Sequence, residues 1–316
     1  MPVVETLLDT GHDSSVESFL NSRIELVTQI LNRGAFRPRD PTVTRKVRLL
    51  GEKYILPDST LTGLENLDIA LDLLKKGHNL IIPANHAGHA DSPSVRVMLE
   101  RDGHKSFADK IVYVAGLKFY EEELTGQLAS AENIILVPAP SDYDDLEIAL
   151  KQTMTDMEID TIRQLRKAYR ELGKAARTAA AAQQALLMYP EASRSRDNNS
   201  RMQQARPESA VLLLGKRSNG YILPLAIQGT ANILAVEKVG SKLTLADARR
   251  AVITMQFGEP VSIKEIIKRV EQRELNKNQK AQAIVDEVMF PIAKMLGPDN
   301  VSDYYQSFFM TNSLIL

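Results

Sequence analysis

His86 and Asp91 are the two side chains of this sequence whose types and spacing best suit catalysis. They lie five residues apart in the polar segment NHAGHAD, which follows a run of apolar residues. Histidine is the side chain that most readily serves as a general base near neutral pH, and a carboxylate bonded to its far nitrogen fixes its tautomer. The pair is therefore a candidate for removing a proton from a hydroxyl group. The chain contains no GxSxG sequence, so a substrate hydroxyl is the candidate nucleophile.

Two other interpretations of this segment remain open. Asp91 or Ser92 can cap a helix that opens at Pro93, because Asp and Ser are favoured at the N-cap and Pro in the first turn. In that case His86 is an incidental loop residue. A metal cluster of His86, His89 and Asp91 is the other alternative, although the spacing fits known zinc sites poorly and no cysteine can help. We expect no metal.

A second polar segment, PEASRSR, follows another apolar run. It carries Glu191, Ser193, Arg194 and Arg196, and two arginines separated by small hydroxyl residues suit a phosphate or a carboxylate. The alternative is a solvated basic loop, because further cations lie nearby in the sequence, namely Arg201, Arg206 and Lys216.

Alternating helix and strand patterns indicate which elements position these segments. Helical spacing predicts helices over 14–33, 63–77, 143–184 and 278–295, and apolar runs predict strands over 79–84, 111–115, 133–137, 185–189, 221–227 and 252–257. This pattern predicts an α/β fold with a single mixed, largely parallel sheet flanked by helices. In such sheets ligands bind beyond the carboxyl ends of strands, which is where both polar segments fall.

Proline residues in the stretch PRDP (38–41) interrupt the first helical pattern. We therefore predict a small N-terminal helical domain over residues 1–45, followed by the α/β domain over residues 46–316.

The composition excludes several classes of protein. The chain has 316 residues, of which 44% are hydrophobic and 25% are charged, and these proportions are ordinary for a globular protein. Lys and Arg number 39 against 40 Asp and Glu, so the charge balance does not favour nucleic-acid binding, and we expect no nucleic-acid partner. The absence of cysteine excludes disulfides and a Cys nucleophile.

The termini and the longest uncharged run bear on location. The first residues carry acids and no Lys or Arg, which predicts neither a secretory signal nor a transit peptide. The longest uncharged run, 218–236, contains Pro and Gly, which argues against a membrane-spanning helix. We expect a cytoplasmic location, with a peripheral position at the inner membrane face left open.

The two polar segments together resemble motifs of the glycerolipid acyltransferase superfamily. Residues 85–91, NHAGHAD, match its first motif, which is NH, four residues and Asp. Residues 189–196, YPEASRSR, are similar to its third motif FPEGTRSR, with Ala and Ser in place of Gly and Thr. Residues 222–226, ILPLA, fit its fourth motif, an apolar stretch that contains proline. The motifs occur in the family's order, and the resemblance covers about residues 46–235.

The layout is most similar to that of the soluble plastid-type glycerol-3-phosphate acyltransferases. This resemblance implies transfer of a fatty acyl group from a thioester of acyl carrier protein or CoA to a hydroxyl of a glycerol phosphate, above all sn-glycerol-3-phosphate, in phospholipid synthesis. No cofactor beyond the acyl-CoA or acyl-carrier-protein co-substrate is implied. His86 takes the hydroxyl proton in this scheme, Asp91 orients it, and Arg194 and Arg196 hold the phosphate while Glu191 orders the loop.

One family feature is missing. The family's second motif places a basic residue after its strand, whereas the strand that ends at Val137 is followed by PAPSDY. Lys118 is the candidate substitute. The expected substrate-binding residues are Glu191, Ser193, Arg194, Arg196 and Lys118.

Other functions remain as alternatives. A lysophosphatidate acyltransferase differs only in the acceptor, and an acyl-ester hydrolase can use the same His/Asp pair with water. A non-catalytic lipid- or carrier-binding protein is the third alternative. For the apolar tail, 304–316, packing against the core is favoured over contact with a membrane surface, which is also open to the helix over 14–33.

Overall fold

The computed structural model describes residues 13–117, 123–139, 142–143, 156–183, 185–192, 201–214, 219–239 and 242–312. Its strands are β1 (Phe36–Arg37), β2 (Thr60–Thr62), β3 (Leu80–Pro83), β4 (Ile111–Gly116), β5 (Asn133–Val137), β6 (Ala185–Met188), β7 (Tyr221–Ile222), β8 (Leu225–Gln228), β9 (Leu234–Val239), β10 (Lys242–Ala248), β11 (Thr254–Phe257) and β12 (Val261–Ser262). Its helices are Asp13–Arg33, Pro41–Tyr54, Leu64–Lys75, Asp91–Arg101, Lys105–Ala108, Glu123–Ala129, Asp156–Ala181, Ala210–Leu214, Ile263–Glu271, Lys277–Leu296 and Asp303–Asn312.

The main sheet is mixed and mostly parallel, as the sequence predicted. Across the described residues it has seven strands in the order β1-β5-β4-β6-β3-β7-β12. Strand β3 runs parallel to both β6 and β7, β4 runs parallel to β6, and β12 is antiparallel to β7. The α/β fold class is therefore confirmed.

The central strands β3 and β6 bring the two polar segments to one edge of the sheet. All four residues of each strand, LIIP and ALLM, are buried, which is typical of parallel strands covered on both faces. The two strands pair in register, with Leu80 opposite Ala185 at one end and Pro83 opposite Met188 at the other, so they end side by side. The loops that follow Pro83 and Met188 leave the sheet together, at the edge where the sequence placed the candidate site.

The prediction of a single sheet was wrong. The strand predicted over 221–227 is divided at Pro224 into β7 and β8, because proline has no N–H to donate to a strand partner. Strand β7 stays in the main sheet, whereas β8 pairs with β11 in a three-stranded sheet of order β2-β11-β8. Strands β9 and β10 form a two-stranded antiparallel sheet.

Several helices agree with the predicted ones within a few residues, and others were missed. The helix predicted over 143–184 is observed as Asp156–Ala181, and residues 144–155 lie outside the described residues. The helix Pro41–Tyr54 begins within the stretch that was interpreted as a breaker. Asp40 caps it by accepting a hydrogen bond from the Thr42 N–H at 2.7 Å, and Pro is favoured in a first helical turn.

The chain divides into two compact units. The smaller one is formed within Met1–Arg37, Ala115–Leu117 and Ile135–Ala180. In its helix Asp156–Ala181 the buried side chains recur every three or four residues and so occupy one helix face, namely Ile162, Leu165, Tyr169, Leu172 and Ala176.

The larger unit comprises Pro38–Val114, Lys118–Ile134 and Ala181–Leu316. Its core includes the helix Lys277–Leu296 and the fully buried Tyr305, whose hydroxyl accepts a hydrogen bond from the Ala205 N–H at 3.3 Å. Core packing of the C-terminal tail is thus confirmed for Tyr305, while residues 313–316 lie outside the described residues. Among the helices described, none combines the length and the apolar character that crossing a membrane requires.

Candidate active site

His86 and Asp91 form a direct hydrogen bond. Nδ1 of His86 lies 2.7 Å from Oδ2 of Asp91, and the side chains are 14% and 1% exposed. An ionised carboxylate can only accept, so Nδ1 carries the proton and Nε2 keeps its lone pair. Within the described part of the chain, Nε2 of His86 has no hydrogen-bond partner. The imidazole therefore presents a basic nitrogen on its partly exposed side, as a general base requires.

Three further hydrogen bonds hold the carboxylate of Asp91. The Gly88 N–H donates to both of its oxygens, at 3.1 and 3.0 Å, and the Thr230 hydroxyl donates to Oδ1. Gly88 can approach because it has no side chain: a Cβ there would lie 2.8 Å from the Cα of Ala231. A buried carboxylate held in this way keeps a fixed position relative to His86.

The capping interpretation of Asp91 was wrong. The helix Asp91–Arg101 has Ala90 at its N-cap, and no side-chain bond caps it. Asp91 is the first helical residue, and its side chain turns back to Gly88 and His86. The hydroxyl of Ser92 instead lies 2.9 Å from the hydroxyl of Tyr189.

Asn85 ties the start of this loop to the three-stranded sheet. Its amide donates to the carbonyl of Ile227 at 2.8 Å, and its Oδ1 accepts from the Ile227 N–H at 2.8 Å. The side chain thus makes the pair of bonds that a neighbouring strand would make. Because Asn85 is buried, losing these bonds would leave polar groups unsatisfied. Asn85 therefore fixes the backbone from which His86 projects.

Glu191 connects the two loops through backbone bonds. Its Oε1 accepts from the His86 N–H at 2.7 Å and its Oε2 from the Gln203 N–H at 2.7 Å. Burial raises the pKa of Glu191 to about 8, although the two backbone donors act in the opposite direction. This geometry fits the expectation that Glu191 orders the loop, and any contact with a substrate stays a prediction.

Tyr189 is a site residue that the sequence reasoning missed. Its ring stacks on the imidazole of His86, with centroids 4.2 Å apart and planes 17° apart. Burial raises the pKa of Tyr189 well above its ordinary value, and the charge of Asp91 adds to this, so the phenol stays protonated. Its position directly after β6, beside the loop that follows β3, is the feature that could have identified it as a site residue.

Ala192 adopts an unusual backbone conformation. Its φ is +59°, and it is the one non-glycine residue with positive φ among the described residues. The left-handed region is disfavoured for residues with a Cβ and suits glycine. The resembled motif has glycine at this position, and glycine adopts this conformation without strain.

The structure brings together three of the predicted site residues, namely His86, Asp91 and Glu191. The others, Lys118, Ser193, Arg194 and Arg196, lie outside the described residues. In the part of the chain that is described, His, Asp and Glu side chains form no group of three or more that could hold a metal ion. The alternative with His86, His89 and Asp91 as a metal cluster therefore has no support in the geometry.

A second buried polar cluster lies around Arg96, further along the helix that starts at Asp91. The Arg96 guanidinium donates to both oxygens of Glu132, at 2.6–2.8 Å, and to Asp109 at 2.9 Å. Burial raises the pKa of Glu132 to about 6, against the opposing effect of Arg96. For Asp109, hydrogen bonds from Arg39, Lys105 and Arg96 outweigh burial and lower the pKa.

No known protein-family model matches the chain, and no curated protein is significantly similar to it. The interpretation of the site therefore depends on its own geometry and on the motif resemblance.

Proposed function

We propose that this protein is an acyltransferase that moves a fatty acyl group from a thioester to the hydroxyl of a glycerol phosphate. The observation that carries the proposal is the 2.7 Å bond between His86 and a buried, multiply held Asp91. The order of the motifs around this pair supports the choice of acyl transfer.

His86 is the general base of the proposed reaction. Its Nε2 removes the proton of the acceptor hydroxyl while Asp91 stabilises the imidazolium that forms. The acceptor oxygen forms a bond to the thioester carbonyl carbon, and the carbon–sulfur bond then breaks. The imidazolium returns its proton to the leaving thiolate. Backbone N–H groups near the start of the helix Asp91–Arg101 are the candidate donors to the oxyanion, except for that of Pro93, which has none.

The substrates follow from the resemblance to the superfamily. We propose acyl carrier protein or CoA as the acyl carrier and sn-glycerol-3-phosphate as the acceptor. Arg194 and Arg196 are its proposed phosphate ligands, and Glu191, Ser193 and Lys118 are the other proposed substrate-binding residues. Lysophosphatidate is the alternative acceptor.

We further propose a cytoplasmic location and no nucleic-acid partner. The N-terminal helical domain over residues 1–45 also stays a prediction.

Thiol release tests the proposal. The wild-type protein and a His86→Ala variant are incubated with palmitoyl-CoA or palmitoyl-acyl carrier protein, with and without glycerol-3-phosphate or lysophosphatidate. We expect release that depends on an acceptor and falls about 10²–10⁴-fold or more in the variant. His78→Ala is the matched control, because His78 lies outside the site and bonds to the carbonyl of Asn219.

Three results would contradict the proposal. Full activity of a folded His86→Ala variant would exclude His86 as the base. Release that is independent of any acceptor would indicate a hydrolase. The absence of release with every donor and acceptor would favour a binding protein over an enzyme of this class.

A further inference from the structure

The helix Pro41–Tyr54 presents one exposed face that combines cations with half-exposed leucines. This face, here the basic-leucine face, consists of Arg45, Lys46, Leu49, Leu50 and Lys53. Positions 45, 49 and 53 are four residues apart, as are 46 and 50, so they lie on adjacent rows of one helix surface. Leu49 is 51% exposed and Leu50 is 49% exposed. These two adjacent leucines form a small apolar patch in contact with solvent.

The opposite face of this helix is fixed to the domain. Val47 is buried, and Gly51 packs so closely on the helix Asp91–Arg101 that a Cβ would lie 2.5 Å from Cγ2 of Val97. Arg101 donates to the carbonyl of Ile55, just after the helix, at 2.9 Å. The helix therefore cannot rotate to bury its leucines without losing these contacts. The basic-leucine face is a fixed surface of the larger unit.

The charge of this helix differs from that of the whole chain. It carries four basic residues and one acid, a balance of +3, whereas the whole chain carries −1. The acid, Glu52, lies 3.5 Å from Arg48, which is outside the basic-leucine face. Among the described residues no carboxylate lies within ion-pair distance of Arg45, Lys46 or Lys53. Nζ of Lys53 lies 5.2 Å from the centroid of the Tyr54 ring.

A second helix gives a direct contrast. Ile69, on the helix Leu64–Lys75, is also 51% exposed. The acids of that helix are Glu65, Asp68 and Asp72, and its one base, Lys75, is paired with Asp72 at 2.9 Å. A half-exposed apolar side chain can therefore also lie among acids. Of these two helices, Pro41–Tyr54 is the one that combines adjacent leucines with cations that lack a carboxylate partner among the described residues.

We propose that the basic-leucine face docks the protein on an anionic lipid bilayer. Leucines at the centre of the face would enter the boundary between headgroups and acyl chains, while the surrounding cations bind lipid phosphates. An acidic protein surface would satisfy the cations but would leave the two leucines against polar groups. A bilayer satisfies both, since its phosphates bind the cations and its acyl chains surround the leucines.

The contact between helices gives the docking a consequence. The helix that holds the basic-leucine face packs on Val97 of the helix that begins at Asp91. Docking would therefore place the His86–Asp91 pair one helix away from the membrane surface. The inference concerns binding to lipid and does not depend on the proposed acyl transfer.

Vesicle flotation of the full-length protein tests this inference. Vesicles of phosphatidylcholine alone are compared with vesicles that also contain phosphatidylglycerol, at low salt and at about 0.5 M salt, where exposed charges are screened. We expect binding to the anionic vesicles, weakened by salt. Each cation near the surface contributes about fivefold to binding, so the triple variant Arg45→Gln/Lys46→Gln/Lys53→Gln should bind roughly a hundredfold more weakly.

Matched variants distinguish docking through the basic-leucine face from a general effect of positive charge on vesicle binding. The triple variant Arg166→Gln/Lys167→Gln/Arg170→Gln removes the same charge from exposed positions of another helix and should bind as the wild type does. Leu49→Ser/Leu50→Ser should lose about tenfold or more through the apolar area withdrawn from the bilayer. Ile69→Ser is its control and should change nothing. Thermal melting of each variant checks that the fold is intact.

Three results would overturn the inference. The first is equal binding of the wild type to neutral and anionic vesicles, and the second is an equal loss of binding in the two triple variants. The third is normal vesicle binding by the basic-leucine variants together with lost binding of acyl carrier protein, which would assign the face to an acidic protein.

Discussion

Two buried polar clusters lie along the helix Asp91–Arg101, and they differ in the kind of partner that binds their ionisable groups. At the start of the helix, Asp91 and Glu191 accept hydrogen bonds from an imidazole, a hydroxyl and backbone N–H groups. Among the described residues neither forms an ion pair with Lys or Arg. In the middle of the helix, Arg96 is held by ion pairs with Glu132 and Asp109.

The difference distinguishes a reactive cluster from a structural one. In the Arg96 cluster the charges are compensated within the protein, and the groups have little capacity left for a ligand. In the His86 cluster the other described donors to the two carboxyl groups are backbone N–H groups and a hydroxyl, so the imidazole can take up a proton without displacing a cation from Asp91. The comparison predicts that substitution of Asp91 changes the rate, whereas substitution of Arg96 changes the stability.

Replacing Asp91 by Asn should have the largest effect. The Asn amide would donate to Nδ1 of His86, so the proton would move to Nε2 and the base would be lost. We expect kcat/KM for thiol release to fall about 10³–10⁴-fold, with only a small change in the melting temperature. An active variant, or one that loses its activity only by unfolding, would remove the distinction between the clusters.

Replacing Arg96 by Met tests the other side of the comparison. It leaves Glu132 buried without its cation, and breaking a buried pair in this way costs about 3–5 kcal/mol. Urea unfolding measures the loss. The double variant Arg96→Met/Glu132→Gln should recover part of it, because the buried charge is gone. If the double variant is no more stable than the single one, the ion pair is not the reason for the loss.

Glu191 predicts a pH dependence of stability. Because burial raises its pKa to about 8 from an ordinary value of 4.5, the folded protein binds this proton more strongly than the unfolded chain. Proton binding by Glu191 stabilises the folded state fully at pH values below the ordinary pKa of 4.5. This stabilisation is lost as the pH rises toward the folded-state pKa of about 8, and the total change is a few kcal/mol at most.

The Glu191→Gln variant removes this titration. We expect its free energy of unfolding, measured between about pH 4 and pH 8, to fall less steeply with pH than that of the wild type. The variant should be less stable overall at low pH, since an amide nitrogen cannot accept one of the two backbone N–H bonds. Parallel curves for the two proteins would contradict the raised pKa.

Ala192→Gly should have the smallest effect. Glycine relieves the left-handed strain of about 1–2 kcal/mol and loses about 0.5–1 kcal/mol through the freedom of the unfolded chain. The variant should therefore be more stable by up to about 1.5 kcal/mol in urea unfolding. The control is Ala182→Gly, which is also exposed but lacks a positive φ and should be neutral or destabilised.

The sequence predicted those features of the site that depend on local spacing. His86 and Asp91 are five residues apart, and the apolar runs on either side indicated that their loop follows a buried strand. The meeting of this loop with Glu191 followed from parallel strands that end at one edge of a sheet.

Tertiary contacts determined the rest. Thr230 donates to Asp91 from 139 residues away, and no local pattern marks it as a partner. The stacking of Tyr189 on His86 likewise depends on the register of β3 and β6. Two local signals were present and were misread. Asp40 and Pro41 begin a helix rather than a linker, and Pro224 divides a strand that had been predicted as continuous.

The sequence distance between the site's parts also affects how the protein is made. Thr230 follows Asp91 by 139 residues, and Ile227 follows Asn85 by 142. At synthesis rates of about 5–20 residues per second, the loop 85–91 emerges from the ribosome roughly 7–28 seconds before its partners. During that interval the nascent chain has the imidazole and the carboxylate but not the hydroxyl that holds the carboxylate in place. The chain should therefore gain activity only late in translation.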